Sequence, residues 1–153
     1  MQIKRIHHTA VSVADMERSL EFYVDVLGLD LVFDSAISPN PSLDAVVGMD
    51  DAAGRVCWVE AGDTMLELWQ WDHPQGRPVP DDYRPADRGV THFAFVVDDV
   101  EELHRRILDH GLTSNTPPTD LRMHLTPYVR GPDDELIEIL EDRVDDAWGA
   151  KLR

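Results

Sequence analysis

Cysteine is almost absent from this chain. Cys57 stands alone among 153 residues, so no internal disulfide closes and no thiolate cluster binds a metal. Any metal site here has to be built from histidine and carboxylate. Basic residues are also scarce: 14 Lys and Arg face 30 Asp and Glu, a formal net charge of −16. That field repels phosphate backbones and anionic lipid surfaces, so neither nucleic acid nor membrane is expected as a partner. Long apolar runs are missing as well. The longest are strand-sized, and the opening MQIKRIHH has no apolar core of a signal peptide, which makes a cytoplasmic protein the expectation.

What is present is an ordinary globular composition, 42% hydrophobic and 29% charged, in a chain long enough for one sizeable core. Its most informative feature is a weak internal repeat. His8-Thr-Ala-Val-Ser-Val-Ala-Asp15-Met-Glu17 runs through a helical stretch to Leu27-Gly28-Leu29. His92-Phe-Ala-Phe-Val-Val-Asp-Asp99-Val-Glu101 runs likewise to His110-Gly111-Leu112. Superposing His8 on His92 also aligns Ala10 with Ala94, Asp15 with Asp99 and Glu17 with Glu101. Gly28 meets Gly111 after a one-residue deletion. The shared pattern is strand, cap, helix and glycine stop. Asp15 and Asp99 accept first-turn N–H groups, and the glycines tolerate the left-handed conformation that ends a helix. Met16, Leu20 and Tyr23 in one copy, and Val100, Leu103 and Ile107 in the other, recur at helical spacing.

Further strands are expected at Leu29 to Phe33, Arg55 to Glu60 and Met65 to Trp71, then at Leu125 to Arg130 and Leu136 to Leu140. Turns fall at Ala61-Gly62-Asp63 and Gly131-Pro132-Asp133-Asp134. The proline-rich stretch from His73 to Arg88 reads as a linker. The segment from Ile37 to Gly54 is irregular apart from a short helix around Leu43 to Val47. Alternation along the strands puts Val11 and Val13, and equally Phe93, Phe95 and Val97, on a packing face. His8 and His92 then start equivalent strands on the opposite face.

Two carboxylates interrupt apolar strands, Glu67 in Met65-Leu-Glu-Leu-Trp69 and Glu138 in Leu136-Ile-Glu-Ile-Leu140. A carboxylate among large aliphatics is costly to bury without a cation or hydrogen-bond donors, so the pair invites a shared cation. Trp69 and Trp71 share the face of Glu67 by alternation and form a candidate substrate wall, with Tyr128 a further candidate. His7 should point to the opposite face from His8 and is read as structural. His73, His104, His110 and His124 are read as solvated, and Cys57 as a small buried residue.

With the repeat and its four polar residues in view, the chain resembles the vicinal oxygen chelate superfamily. This is the family of glyoxalase I, methylmalonyl-CoA epimerase, extradiol dioxygenases and bleomycin resistance proteins. The resemblance implies an α+β fold of two tandem βαβββ modules forming a curved, barrel-like mixed sheet around a metal. Module 1 would span about 1–72, the linker 73–88 and module 2 about 89–153, as a single glyoxalase-like domain. Ligands lie on the first and fourth strand of each module, which carries over to His8, Glu67, His92 and Glu138. Where the family's turn before the last strand often reads Asp-Pro-Asp-Gly, this chain has Gly131-Pro132-Asp133-Asp134.

The resemblance further implies one divalent metal, Zn, Ni, Co, Mn or Fe, since mixed nitrogen and oxygen ligands suit all of them. It implies a lyase or isomerase of the glyoxalase or epimerase type. A small substrate would chelate through adjacent oxygens and lose a carbon-bound proton to Glu138 or Glu67 as catalytic base. An extradiol-type Fe(II) dioxygenase using His8, His92 and Glu138 is the alternative, with Glu67 then surplus. A metal-free drug-binding resistance protein is a third reading, to which the acidity and the four tryptophans are suited. A homodimer is expected from the family.

Overall fold

The computed structural model describes residues 2–143. The chain divides into two compact units, Met1–Pro78 and Val79–Arg153. In unit 1, β1 (His8–Ser12) leads to α1 (Met16–Leu20), which continues as a π-helical segment, Glu21–Val26. Then come β2 (Asp30–Ile37), α2 (Pro41–Val47), β3 (Ala53–Ala61) and β4 (Thr64–His73). The four strands form one sheet in the order β1-β4-β3-β2. β1 runs parallel to β4, and the remaining pairs are antiparallel.

The Asp15 carboxylate accepts the N–H groups of Glu17 and Arg18 at the start of α1, and Gly28 closes the helix at φ +79°. The one-residue excess of this copy over the other is absorbed in the π-helical segment. There the Leu27 N–H reaches five residues back to the Phe22 carbonyl at 2.9 Å. An inserted residue widens one turn and leaves the apolar face on both sides in register. Met16, Phe22, Tyr23 and Val26 are therefore all buried despite the insertion, and α1 packs on β4. Beneath them the cross-strand partners Cys57 and Leu68, and Val59 and Leu66, fill the sheet's packed face. Each large aliphatic buried in this way contributes about 1.5–3 kcal/mol.

The segment after β2 is more ordered than its composition suggests. Asn40 caps α2 by accepting the Leu43 N–H, Pro41 fills the first turn, and Gly48 ends the helix at φ +68°. Asp44 then accepts the N–H groups of Asp51 and Ala52, tying the loop to the helix.

Unit 2 carries β5 (Phe93–Val96), α3 (Val100–Asp109), β6 (Thr119–Asp120), β7 (His124–Thr126), β8 (Tyr128–Arg130) and β9 (Leu136–Asp142). The strand order is β5-β9-β7-β6, with β8 also pairing β9. Asp99 caps α3 through the Glu102 N–H, and Gly111 follows at φ +80°. The expected strand from Leu125 to Arg130 is two strands, because Pro127 has no N–H to give to a ladder. Asp134 takes the left-handed conformation, φ +63°, in the tight turn before β9, a conformation short Asp side chains tolerate better than most. Helices and strands mix in both units, an α+β fold. No described helix is long and apolar enough to cross a membrane.

The side-chain expectations need three corrections. His104 is not solvated: it lies on the packed face of α3 between Val100 and Ile107, 8% exposed, and its Nε2 has no hydrogen-bond partner among the described residues. The helical period brings it inward, and a histidine's polar character does not override that. His124 begins β7, half-buried, with Nδ1 2.9 Å from the Asp142 carboxylate. His7 is not on the far side from His8, because it precedes β1 and strand alternation does not govern it.

Candidate functional site

In unit 1, β1 and β4 are in parallel register with Ala10 opposite Glu67, which sets His8 one step away on the same face. His8 Nε2 lies 3.6 Å from Glu67 Oε2. The other carboxylate oxygen, Oε1, accepts the indole N–H of Trp58 at 3.0 Å from the adjacent strand β3. His8 Nδ1 is 2.9 Å from His7 Nδ1, so the residue before the histidine supplies its second partner.

Unit 2 repeats the arrangement. His92 Nε2 lies 3.5 Å from Glu138 Oε2, and Glu138 Oε1 accepts the Thr126 hydroxyl at 3.0 Å. His92 Nδ1 is 3.1 Å from the hydroxyl of Thr91, again the residue before it. The Tyr128 hydroxyl stands 3.3 Å from His92 Nε2, with the two rings 4.8 Å apart. Burial, and then the neighbouring Glu138 charge, raise the Tyr128 pKa, so this phenol stays a hydrogen-bond donor across the neutral range.

In both units the carboxylate is mostly buried, its side chain 16% exposed at Glu67 and 17% at Glu138. In both, one oxygen is anchored by a donor and the other faces an imidazole nitrogen. This is the chemistry of a two-donor half-set for a divalent cation. Ligands on bonds of about 2.0–2.2 Å lie within about 4.4 Å of each other, and both pairs are inside that limit. The donor behind each carboxylate and each Nδ1 is the kind of outer partner that orients metal ligands. Within neither unit, among the described residues, does a third His, Cys, Asp or Glu complete a metal-holding group around its pair. The structure thus brings His8 to Glu67 and His92 to Glu138.

The tryptophans are placed as alternation requires. Trp69 and Trp71 stack with centroids 4.2 Å apart and planes at 6°, and Trp71 Nε1 donates to Ser12 Oγ at 3.3 Å. Of the groups that back these residues, the sequence did not single out Trp58, Thr126 and Thr91, and it turned His7 the wrong way. A signal existed for one of them, since Trp58 is the same-face neighbour of Glu67 once the Ala61-Gly62-Asp63 hairpin fixes the register.

On the other face of the unit 1 sheet, Arg55 is forked onto Asp34 at 2.9 and 2.8 Å and also bonds Glu17. Asp34 holds the guanidinium proton firmly and is itself shifted to lower pKa by the same bond. Burial, and then the bond to Asp34, push the Cys57 thiol up to about 11, so it is a protonated core residue and not a nucleophile.

Known proteins resemble the chain over most of its length. The chain is 30% identical over 146 residues to the uncharacterized protein YwbC of Bacillus subtilis, covering 90% of this chain and 98% of that one. It is 28% identical over 145 residues to lactoylglutathione lyase of Escherichia coli O157:H7, covering 91% and 93%. Its fold matches the crystal structure of a glyoxalase family protein from Bacillus cereus with a TM-score of 0.84 at 18% identity, over 93% and 96% of the two chains. The sequence model of one family matches residues 5–139, a span that contains both histidine–glutamate pairs and both strand–helix repeats, so the chain belongs to the Glyoxalase/Bleomycin resistance protein/Dioxygenase superfamily.

Proposed function

We propose that this protein is a divalent-metal-dependent lyase or isomerase that removes a carbon-bound proton from a small substrate chelating through adjacent oxygens. His8, Glu67, His92 and Glu138 are the proposed ligands, and Glu67 or Glu138 the proposed base. The superfamily includes lyases and epimerases, and its members bind small molecules and often form dimers. The observation that carries the reading is the repeated pair: in each unit one carboxylate oxygen is fixed by a donor while the other faces a histidine Nε2.

When bound, the metal would supply Lewis acidity, stabilising negative charge on the substrate oxygen beside the carbon that loses its proton. The residues do the rest. Trp58 and Thr126 hold Oε1 of the two glutamates, which leaves Oε2, the oxygen facing the histidine, as the one without a donor from its own strand pair and the proposed proton acceptor. A base must lie within about 2.6–3.2 Å of the proton's carbon or oxygen, and a carboxylate with one oxygen pinned swings about a fixed hinge to reach it. The Tyr128 hydroxyl beside His92 offers a donor to a substrate oxygen. Homodimerisation is part of the same proposal.

Elemental analysis of the purified protein and of Glu67→Ala, paired with solvent-deuterium exchange into small 2-oxo acids, 2-hydroxy acids and thioesters, tests it. Near-stoichiometric Ni, Co, Zn or Mn that drops in the variant, together with exchange, is the expected result. Iron retained without Glu67 would point to an oxygenase, and protein purified in the presence of these metals yet holding none would overturn the proposal.

A further inference from the structure

We propose that the Glu67 face of the unit 1 sheet receives a flat, uncharged aromatic group of the substrate, carried on the rings of Trp58, Trp69 and Trp71. The inference rests on the function proposed above and names its substrate class.

Two independent observations converge on it. The first is the aromatic surface itself. Trp69 and Trp71 lie cofacial at 4.2 Å and 6°, and both are only half-buried. Trp58 stacks over His8 at 6.4 Å and 23° and meets Phe33 at 5.6 Å, and Phe33 is 46% exposed on β2. The sheet therefore presents ring faces on both sides of Glu67, whose Oε2 faces His8. A planar ligand whose oxygens reach that pair sets its own ring against indole, and offset stacking adds to simple area burial.

The second observation is charge. Arg55 is the single Lys or Arg in the four strands of this sheet, and it points to the opposite face, held there by Asp34 and Glu17. By alternation the aromatic face carries Glu60 and Glu67 instead. A thiol carrier such as glutathione or CoA brings carboxylates or phosphates, which meet like charge from Glu60 and Glu67 on this face of the strands. An uncharged aryl group incurs no such repulsion.

The test is calorimetric binding to the metal-loaded full chain with three probes: 2-hydroxyacetophenone, hydroxyacetone and S-lactoylglutathione. The two ketones share the chelating oxygens and differ only in phenyl against methyl on the carbonyl carbon, so their ratio reads the aryl contribution. The phenyl ketone should bind about tenfold or more tighter, the factor expected from one well-stacked ring. S-lactoylglutathione should be the weakest of the three. Trp69→Leu should bring the phenyl ketone down to the affinity of hydroxyacetone, and Phe33→Leu, on the exposed edge strand, should reduce the advantage in part even if the tryptophan variant does not fold. Equal affinities for the two ketones, or tightest binding of S-lactoylglutathione, would overturn the inference. Because binding is read without turnover, the two proposals fail separately. Deuterium exchange on other substrates without an aryl preference overturns only this one. An aryl preference in a metal-loaded protein that exchanges no deuterium overturns only the function.

Discussion

In unit 1 the ligand-capable histidine is surrounded by rings; in unit 2 its counterpart is surrounded by hydroxyls. His8 has His7 on Nδ1 and Trp58 stacked beside it, and Glu67 leans on the Trp58 indole. His92 has Thr91 on Nδ1 and Tyr128 beside it, and Glu138 leans on Thr126. The nitrogen-to-oxygen separations are nevertheless 3.6 and 3.5 Å. What is common to the two halves is a geometry and not a set of neighbours: each carboxylate needs one donor behind it, and any donor on the adjacent strand serves. The neighbours are then free to differ between the two halves.

The sharpest way to separate the halves is to replace each carboxylate by its amide. If one glutamate is the base, its Gln variant should lose about 10²–10⁴ of the exchange rate, while the other variant loses chiefly metal. Parallel deuterium-exchange rates and elemental analysis on Glu67→Gln and Glu138→Gln, with metal supplied in excess, read the split. Equal losses of both would break the assignment of a single base.

A smaller effect is expected one step back. Thr126→Val removes the donor behind one carboxylate while keeping the side chain's shape, and Trp58→Phe removes the other together with one ring of the indole; each should weaken metal binding by about 10–100-fold. Competition titrations against a chelating dye measure it. Comparable losses would show that the two donors are interchangeable devices; an effect at Thr126 alone would mean that the rings around Glu67 serve packing.

The smallest effect concerns the helices that precede the pairs. Asp15→Ala and Asp99→Ala should each cost about 0.5–2 kcal/mol in chemical denaturation. Asp15 should cost more, since its carboxylate accepts two N–H groups where that of Asp99 accepts one. The opposite order would mean that the π-helical segment after α1 already relieves that helix's ends.

The repeat was legible because it is written in local chemistry. Aspartate caps, glycine stops and alternation around His8, Glu67, His92 and Glu138 depend on residues a few positions apart, and the caps, glycines and strands appear where those patterns place them. The failures are equally physical. Pro127 split one expected strand, because the effect of a missing N–H depends on which partner strand lies alongside. His104 went inward because the face a helix buries is decided by what it packs against. His7 reached His8 because the chain before β1 lies outside the pleat that strand alternation assumes.

By itself the sequence determined the two-copy architecture and nominated four ligand-capable residues, since hydrophobic periodicity and capping act over one turn or one strand. Tertiary structure alone decided which donors stand behind those residues. Thr126 reaches Glu138 across twelve positions through a β-pairing whose register no local pattern encodes, and Trp58 reaches Glu67 across nine through a hairpin whose turn sets the register but not which partner donates. A hydrogen bond depends on distance in space, and only the packed sheet converts sequence separation into that distance.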